Sequence, residues 1–325
     1  MPEIRIDPLT GQRVVIAGDR AQRPGSGLAP VRSPAGDGPD PFAEGNEAQT
    51  PPELYAVRPD GGAPDTPGWR VRVIPNKFPV LVADPPQPPP SATPDLFWAG
   101  PASGDHEVII NAPEPVTSLA ELEVDQVALA ADVWRERMRN HPDAACLHLI
   151  VNEGAAAGAS VPHTHAQLYA LDFVPAAIAR ERERFGAYTT RTMGGNLLGD
   201  LVQHEVRLRE RIVAIDSEAV LMAPWGSQVP YQLMLVPRTP RPRFQDDGPT
   251  GAAMLHQALG RLARRLGPSP AVNLWVRTAP SGADHFCWRI DILPRLAGAA
   301  GFEMGTGVAV NIVAPEQAAA ELRES

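Results

Sequence analysis

Apolar and polar positions alternate from Trp69 to Ile74 and the alternation stops at Pro75-Asn76, which predicts a strand that turns into a loop reaching Val82. Glu107 to Asn111 predicts a second strand. Thr117-Ser118 with Glu121 reads as a helix start, and apolar Leu122, Val127, Leu129, Val133, Trp134 and Met138 carry that helix to about Asn140. The run Cys146 to Val151 predicts a central strand, a glycine- and alanine-rich loop follows, and His163 to Leu171 is the next strand. Residues 174–210 are rich in Ala, Arg and Glu and predict helix with a break near Gly194-Gly195. Strands resume at Arg211 to Ile215, Ala219 to Ala223 and Tyr231 to Pro237, then a helix from Gly251 to Leu266. Strands at Ala271 to Arg277 and Phe286 to Leu293 and a short helix after Ala314-Pro315 complete the pattern. Residues 24–68 hold Pro, Gly and Asp without a sustained period and predict irregular surface structure.

The order strand, strand, helix, strand, strand therefore occurs twice. The segments Ile150-Val151-Asn152 and Ala271-Val272-Asn273 fall at matching places in the two runs, as in a diverged duplication. The expected fold is α+β, two like halves sharing an antiparallel sheet with helices packed on one face. The expected division is 1–172 for the first half, 173–210 for a helical connection and 211–325 for the second half.

Composition narrows the function. At 325 residues the chain can bury a large core, and its net charge of −9 speaks against a nucleic-acid binder that relies on a basic face. Small phosphorylated ligands need only a few local cations and N–H groups. Met1-Pro2-Glu3-Ile4-Arg5 is no apolar leader, and no apolar run reaches the roughly 18 residues of a membrane span, so a soluble cytoplasmic protein is expected. Cys146 and Cys287 lie in apolar strand-like runs and are expected as buried free thiols. Lys77 is the only lysine, among 37 prolines and many arginines.

The densest chemistry is in Val161-Pro162-His163-Thr164-His165-Ala166-Gln167-Leu168-Tyr169. In an extended segment His163, His165 and Gln167 share one face, in steps of roughly 6.5–7 Å. Neutral imidazole can be a nucleophile, a general base or a metal ligand near neutral pH. The loop Asn152-Glu153-Gly154-Ala155-Ala156-Ala157-Gly158-Ala159-Ser160 leads in, and its glycines let backbone N–H groups approach an anion, with the Ser160 hydroxyl as a further donor. A histidine beside such a cradle points to attack at phosphorus. A zinc site needs three or four ligands, and His106, His141, His148, His204, His256 and His285 offer no further ligand pair and no Cys-x-x-Cys exists.

With these residues in this order the chain resembles the galactose-1-phosphate uridylyltransferase branch of the histidine-triad superfamily, over nearly its whole length. Besides HxHxQ and its loop, the resemblance rests on Arg20-Ala21-Gln22-Arg23-Pro24, on Gly45-Asn46-Glu47-Ala48-Gln49-Thr50-Pro51-Pro52-Glu53, on Val73-Ile74-Pro75-Asn76-Lys77-Phe78-Pro79 and on Gly301-Phe302-Glu303-Met304-Gly305-Thr306-Gly307. It implies two histidine-triad-like halves and a nucleotidyl transfer between a nucleoside diphosphate-sugar and a sugar 1-phosphate. His165 would be the nucleophile, and Gln167 and Ser160 would hold phosphoryl oxygens. Arg23, Asn76, Lys77, Asn152 and Gly158 would contact nucleotide and phosphate, with His163 structural beside them. Glu303, Gly305 and Thr306 would address the sugar phosphate. A homodimer without nucleic-acid or membrane partners is also implied.

Three departures from the family matter. Many members hold a structural zinc with a Cys-x-x-Cys, a later His and the first His of HxH. Here those positions read Asp40 and Ala43, Pro115 and His163, so no zinc is expected. A second metal site, built in some members on a C-terminal His-x-His, falls at Arg289 and Asp291 and is also expected to be absent. Lys77 stands where an acidic residue is common, which leaves the base, uridine or adenosine, open. Three rival activities remain: an ADP-glucose phosphorylase using inorganic phosphate, a histidine-triad hydrolase, and a nucleotide-sugar binding protein without turnover. Gln167, where the smaller hydrolases carry a third histidine, favours transfer.

Overall fold

A computed structural model describes residues 2–18, 39–90, 92–93, 96–296 and 298–325. In chain order the first elements are β1 (Glu3–Ile6), β2 (Arg13–Ile16), β3 (Tyr55–Val57), β4 (Val71–Pro75), β5 (Gly104–Ile110), α1 (Val124–Arg139), β6 (Cys146–Glu153) and β7 (His165–Leu171). After the connection α2 (Ala176–Thr192) and α3 (Leu197–Leu208) come β8 (Ile212–Ile215), β9 (Ala219–Met222), β10 (Leu233–Pro237), α4 (Ala252–Leu266), β11 (Val272–Arg277) and β12 (Arg289–Pro294). The chain closes with α5 (Gly301–Thr306), β13 (Ala309–Asn311) and α6 (Pro315–Arg323).

Ten strands form one sheet in the order β3-β4-β5-β7-β6-β11-β12-β10-β9-β8, and every neighbouring pair in it is antiparallel. Read outward from the β6–β11 seam, both halves have the same order: fourth strand, fifth, third, second, first. The seam pairs Asn152 with Asn273, so the two asparagine-bearing strands of the sequence repeat lie side by side. A three-stranded sheet, β1-β2-β13, joins the N- and C-terminal segments.

Alternation along each strand divides residues between two faces. Leu147, Leu149 and Val151 of β6, Ala166, Leu168 and Ala170 of β7 and Leu274 and Val276 of β11 enter the main core with α1, α4 and α6. Apolar positions of α4 at Met254, Leu255, Ala258, Leu259 and Leu262 follow helical spacing, and Gly267, at φ +104°, ends that helix. The opposite face is treated differently in the two halves. Over the second half, Phe185 of α2 with Leu198 and Val202 of α3 packs on Val220, Met222, Met234 and Val236. Over the first half, among the described residues, that face carries a small cluster, Trp69, Ile74, Val108 and Ile110, with Phe42 and Ala56 against it.

Two local expectations need correction. The span read as irregular contains β3, whose short ladder on β4 leaves too few residues for a visible period. Ser118 does not start the long helix. Its hydroxyl caps a separate 3-10 turn, Leu119–Glu121, because Glu153 ties down both the Ser118 hydroxyl and the Leu119 amide, and α1 begins at Val124. The glycine-rich motif at 301–307 contains a helical turn and a half, α5, closed by Gly307 at φ +68°. Among the described residues, no helix is long and apolar enough to cross a membrane.

A candidate nucleotidyl-transfer site on the open sheet face

His165 opens β7 and is 5% exposed. Its Nδ1 lies 2.7 Å from the backbone oxygen of His163, an obligate acceptor, so Nδ1 carries the ring proton and donates it there. Nε2 is then the unprotonated nitrogen, and among the described residues nothing hydrogen-bonds to it. Burial, followed by the partly opposing His163 contact, sets the pKa of His165 below the ordinary imidazole value. The ring therefore stays neutral and nucleophilic at neutral pH.

Gln167 is prepared in the complementary sense. Its Oε1 accepts from His106 Nε2 at 3.0 Å and from the Tyr169 hydroxyl at 2.9 Å. Val80 N–H reaches His106 Nδ1 at 3.4 Å, which puts the ring proton on Nε2 and supports this direction. His106 stacks on Tyr169 with ring centroids 4.2 Å apart, and burial lowers its pKa. With its oxygen committed twice, Gln167 presents its NH2 as a free donor beside His165. Asn76, at the end of β4, puts Nδ2 3.1 Å from His106 Nε2, and its Oδ1 accepts from the Phe78 amide. Two donors meet at that Nε2, so the Asn76 amide is no true partner of the ring and remains available to a ligand.

On the neighbouring strand Val151 pairs with Ala166, and one register step further Asn152 falls beside His165. Asn273 Nδ2 donates to Asn152 Oδ1 at 2.8 Å and to the Ala157 carbonyl at 2.7 Å, tying the loop to the seam. Within the loop the amides of Ala157, Gly158 and Ala159 donate to loop carbonyls, so the donors left toward an anion are those around Ser160, which is exposed. Gly154 and Gly158 have φ +78° and +88°, and a Cβ at Gly154 would press on Ala271 at 3.1 Å.

The structure thus gathers His163, His165, Gln167, Asn76 and Asn152, with the Gly158–Ser160 loop adjoining. It does not gather the rest. Lys77 is exposed on the loop after β4. Glu303, Gly305 and Thr306 lie on α5, where Glu303 accepts from the Ala300 amide and Thr306 donates to the Phe302 carbonyl, and no hydrogen bond among the described residues joins α5 to β7. Arg23 lies outside the described residues. Sequence reasoning missed His106, Tyr169, Asn273 and Asp40. Tyr169 could have been found by extending the alternation His163, His165, Gln167 by one more step, whereas His106 and Asp40 reach the site only through folding.

A ten-stranded antiparallel sheet of two like halves, with the HxHxQ strand on one of them, defines a protein of the histidine-triad superfamily. Residues 61–175 match the model for the galactose-1-phosphate uridyl transferase N-terminal domain. The chain is 28% identical over 344 residues to the ADP-glucose phosphorylase of Arabidopsis thaliana, covering 99% of this chain and 93% of that protein. It is equally 28% identical over 347 residues to a probable galactose-1-phosphate uridylyltransferase of Drosophila melanogaster, covering 99% and 95%. The crystal structure of the Arabidopsis ADP-glucose phosphorylase with bound ADP-glucose superposes with a TM-score of 0.82 at 27% identity, over 100% of this chain and 99% of that one. The chain belongs to the galactose-1-phosphate uridylyltransferase family and is a nucleotidyltransferase-type enzyme.

Proposed function

We propose that this protein moves a nucleoside monophosphate from a nucleoside diphosphate-sugar to a sugar 1-phosphate through a nucleotidyl-histidine. The carrying observation is the state of His165: Nδ1 donates to the His163 carbonyl, and Nε2 keeps its lone pair with no partner among the described residues. In this reading Nε2 attacks the α-phosphorus, the bond from that phosphorus to the bridging oxygen breaks, and the sugar 1-phosphate leaves with the electron pair. A phosphate oxygen of the acceptor then attacks the same phosphorus and releases His165 neutral. The Gln167 NH2 donates to a nonbridging oxygen as charge builds on the phosphoryl group, with the Ser160 hydroxyl and adjoining amides on the others. Asn76 and Asn152 contact ribose and phosphate, and Arg23 and Lys77 supply cations. Glu303, Gly305 and Thr306 read the sugar phosphate.

A second reading, with inorganic phosphate as acceptor and ADP-glucose as donor, is favoured by the likeness to the Arabidopsis ADP-glucose phosphorylase along nearly the whole chain. The two share the first half-reaction. Supplying glucose 1-phosphate, galactose 1-phosphate or inorganic phosphate to enzyme preloaded from UDP-glucose or ADP-glucose separates them. Release of UDP-galactose supports uridylyl transfer, and release of ADP with phosphate alone supports the phosphorylase.

We also place the enzyme in the cytoplasm as a homodimer that needs no metal. Exposed Phe78, Val80, Phe97, Trp98, Phe302 and Met304 are the apolar surface a second copy would cover. Light scattering should then give twice the chain mass, and a monomer at micromolar concentration would remove that part of the proposal.

A further inference from the structure

Zinc in many relatives implies a metal at the positions held here by Asp40, Ala43, Pro115 and His163. The residues present do not fit it. A methyl group and a proline ring are not ligands, and both nitrogens of His163 are already committed, Nδ1 at 2.7 Å from Asp40 Oδ2 and Nε2 at 2.8 Å from the Ala112 carbonyl. The same contacts clamp the His163 ring at both ends, in a place where it is 2% exposed.

That clamp acts on the nucleophile along two short paths. The backbone oxygen of His163 is the acceptor that fixes His165 Nδ1–H, and the neighbouring backbone is held by Asn111 N–H on the Thr164 carbonyl and by Thr164 N–H on the Val116 carbonyl. Asp40 Oδ1 also accepts from the Phe42 amide at 2.9 Å. This turn sets the Phe42 ring edge-on to His165 at 5.1 Å and to His163 at 6.2 Å. One carboxylate therefore holds the residue that orients His165 and also places the ring that packs against it.

We propose that Asp40 is a positioning residue for the transfer reaction: it holds His163 by a charge-assisted hydrogen bond, and through the His163 carbonyl it keeps His165 in the tautomer that exposes Nε2. This rests on the nucleotidyl-histidine reading. Removing the carboxylate releases the Nδ1 end of the His163 ring, leaving only the Ala112 contact, loosens its carbonyl and lets His165 populate the tautomer with Nε2 protonated, which cannot attack phosphorus.

The test uses the full chain and two variants. D40A removes both contacts. D40S keeps an oxygen for the Phe42 amide but is too short to reach His163, and it serves if D40A fails to fold. In nitrogen-15 spectra of the imidazoles, wild type should show His165 protonated at Nδ1, and both variants should show a population protonated at Nε2. Rapid-quench labelling from UDP-glucose or ADP-glucose should slow by about 10- to 100-fold in both, with the half-saturating substrate concentration little changed. An unchanged His165 spectrum in the variants, or labelling at the wild-type rate, overturns the proposal. So does stoichiometric zinc retained by wild type after incubation and gel filtration, because His163 would then be a ligand. If wild type takes no label at all, the transferase reading fails, and the nitrogen-15 spectra still decide the role of Asp40.

Discussion

The two halves of the sheet share one strand order but use their second face in opposite ways. In the first half that face ends in two groups without a hydrogen-bond partner among the described residues, His165 Nε2 and the Gln167 NH2, while His165 Nδ1 and Gln167 Oε1 are both occupied. In the second half the corresponding face carries a buried cluster of ion pairs around a cavity of about 210 Å³. Arg289 meets Glu181 of α2 at 3.0 Å and Asp291 at 3.0 Å, Arg277 meets Glu181 at 3.4 Å, and Trp275 donates to Asp291 at 2.9 Å. Burial disfavours the Arg289 charge, but Asp291, Glu181 and Asp7 outweigh it and hold its pKa above the ordinary arginine value. In the proposed reaction the first half supplies the reacting group, and the second holds a buried ion-pair cluster. The two faces differ in kind: neutral imidazole and amide groups line one, and mutually paired charges line the other.

The comparison can be broken most severely at His165. H165A should reduce transfer by at least about 10⁴-fold while leaving thermal stability near wild type, since only the reactive half is touched. Residual activity within about tenfold of wild type would mean that another group attacks. Q167A should lower kcat by about 10²–10³-fold, more than it raises KM, because its donor acts mainly on charge developing in the transition state. A change confined to KM would make Gln167 a substrate binder only.

The converse test lies in the second half. R289A leaves buried Asp291 without its cation and Glu181 with Arg277 alone, and should destabilise the fold by about 3–5 kcal/mol, read by denaturant unfolding, with little change in activity per folded molecule. Loss of activity in a fully stable variant would place chemistry in the half described here as structural.

Smaller effects sharpen the picture through pH. The depressed pKa of His165 predicts an acid limb of kcat/KM below the ordinary 6.5, because protonation of Nε2 is what stops attack. A limb above that value would contradict the burial of a neutral His165 at rest. Glu153 under the loop runs the other way, its pKa raised by burial from 4.5 to about 7 against donors from Leu119 and Ser118. A raised folded-state value gives stability that is complete below about pH 4.5 and is lost as pH rises through about 7. E153Q should therefore gain on wild type between pH 5 and pH 8, and parallel stability curves would remove this assignment.

Most of the sheet was legible because nearly every strand has one face against α1 or α4, so period-2 alternation or an apolar run survived in the sequence. The strands of the small sheet and β3 were not, since they are too short to carry a period and, unlike β8 and β9, none is a run of four apolar residues. At the site His165 and Gln167 stood out because they lie on one strand two residues apart. Asp40 did not, because its partner His163 is distant in the chain and only the fold brings them together. The α2–α3 pair was expected as helix, but nothing in its sequence said that it would cover one half of the sheet and leave the other open.

The central claim is that His165 carries the nucleotide between two half-reactions. Intact-protein mass after brief mixing with UDP-glucose or ADP-glucose, followed by peptide mapping under alkaline conditions that preserve phosphoramidates, tests it most directly. The account predicts one added nucleoside monophosphate per chain, mapped to His165, removed by adding acceptor and absent from H165A. No adduct with either donor, or an adduct on any other residue, would contradict it.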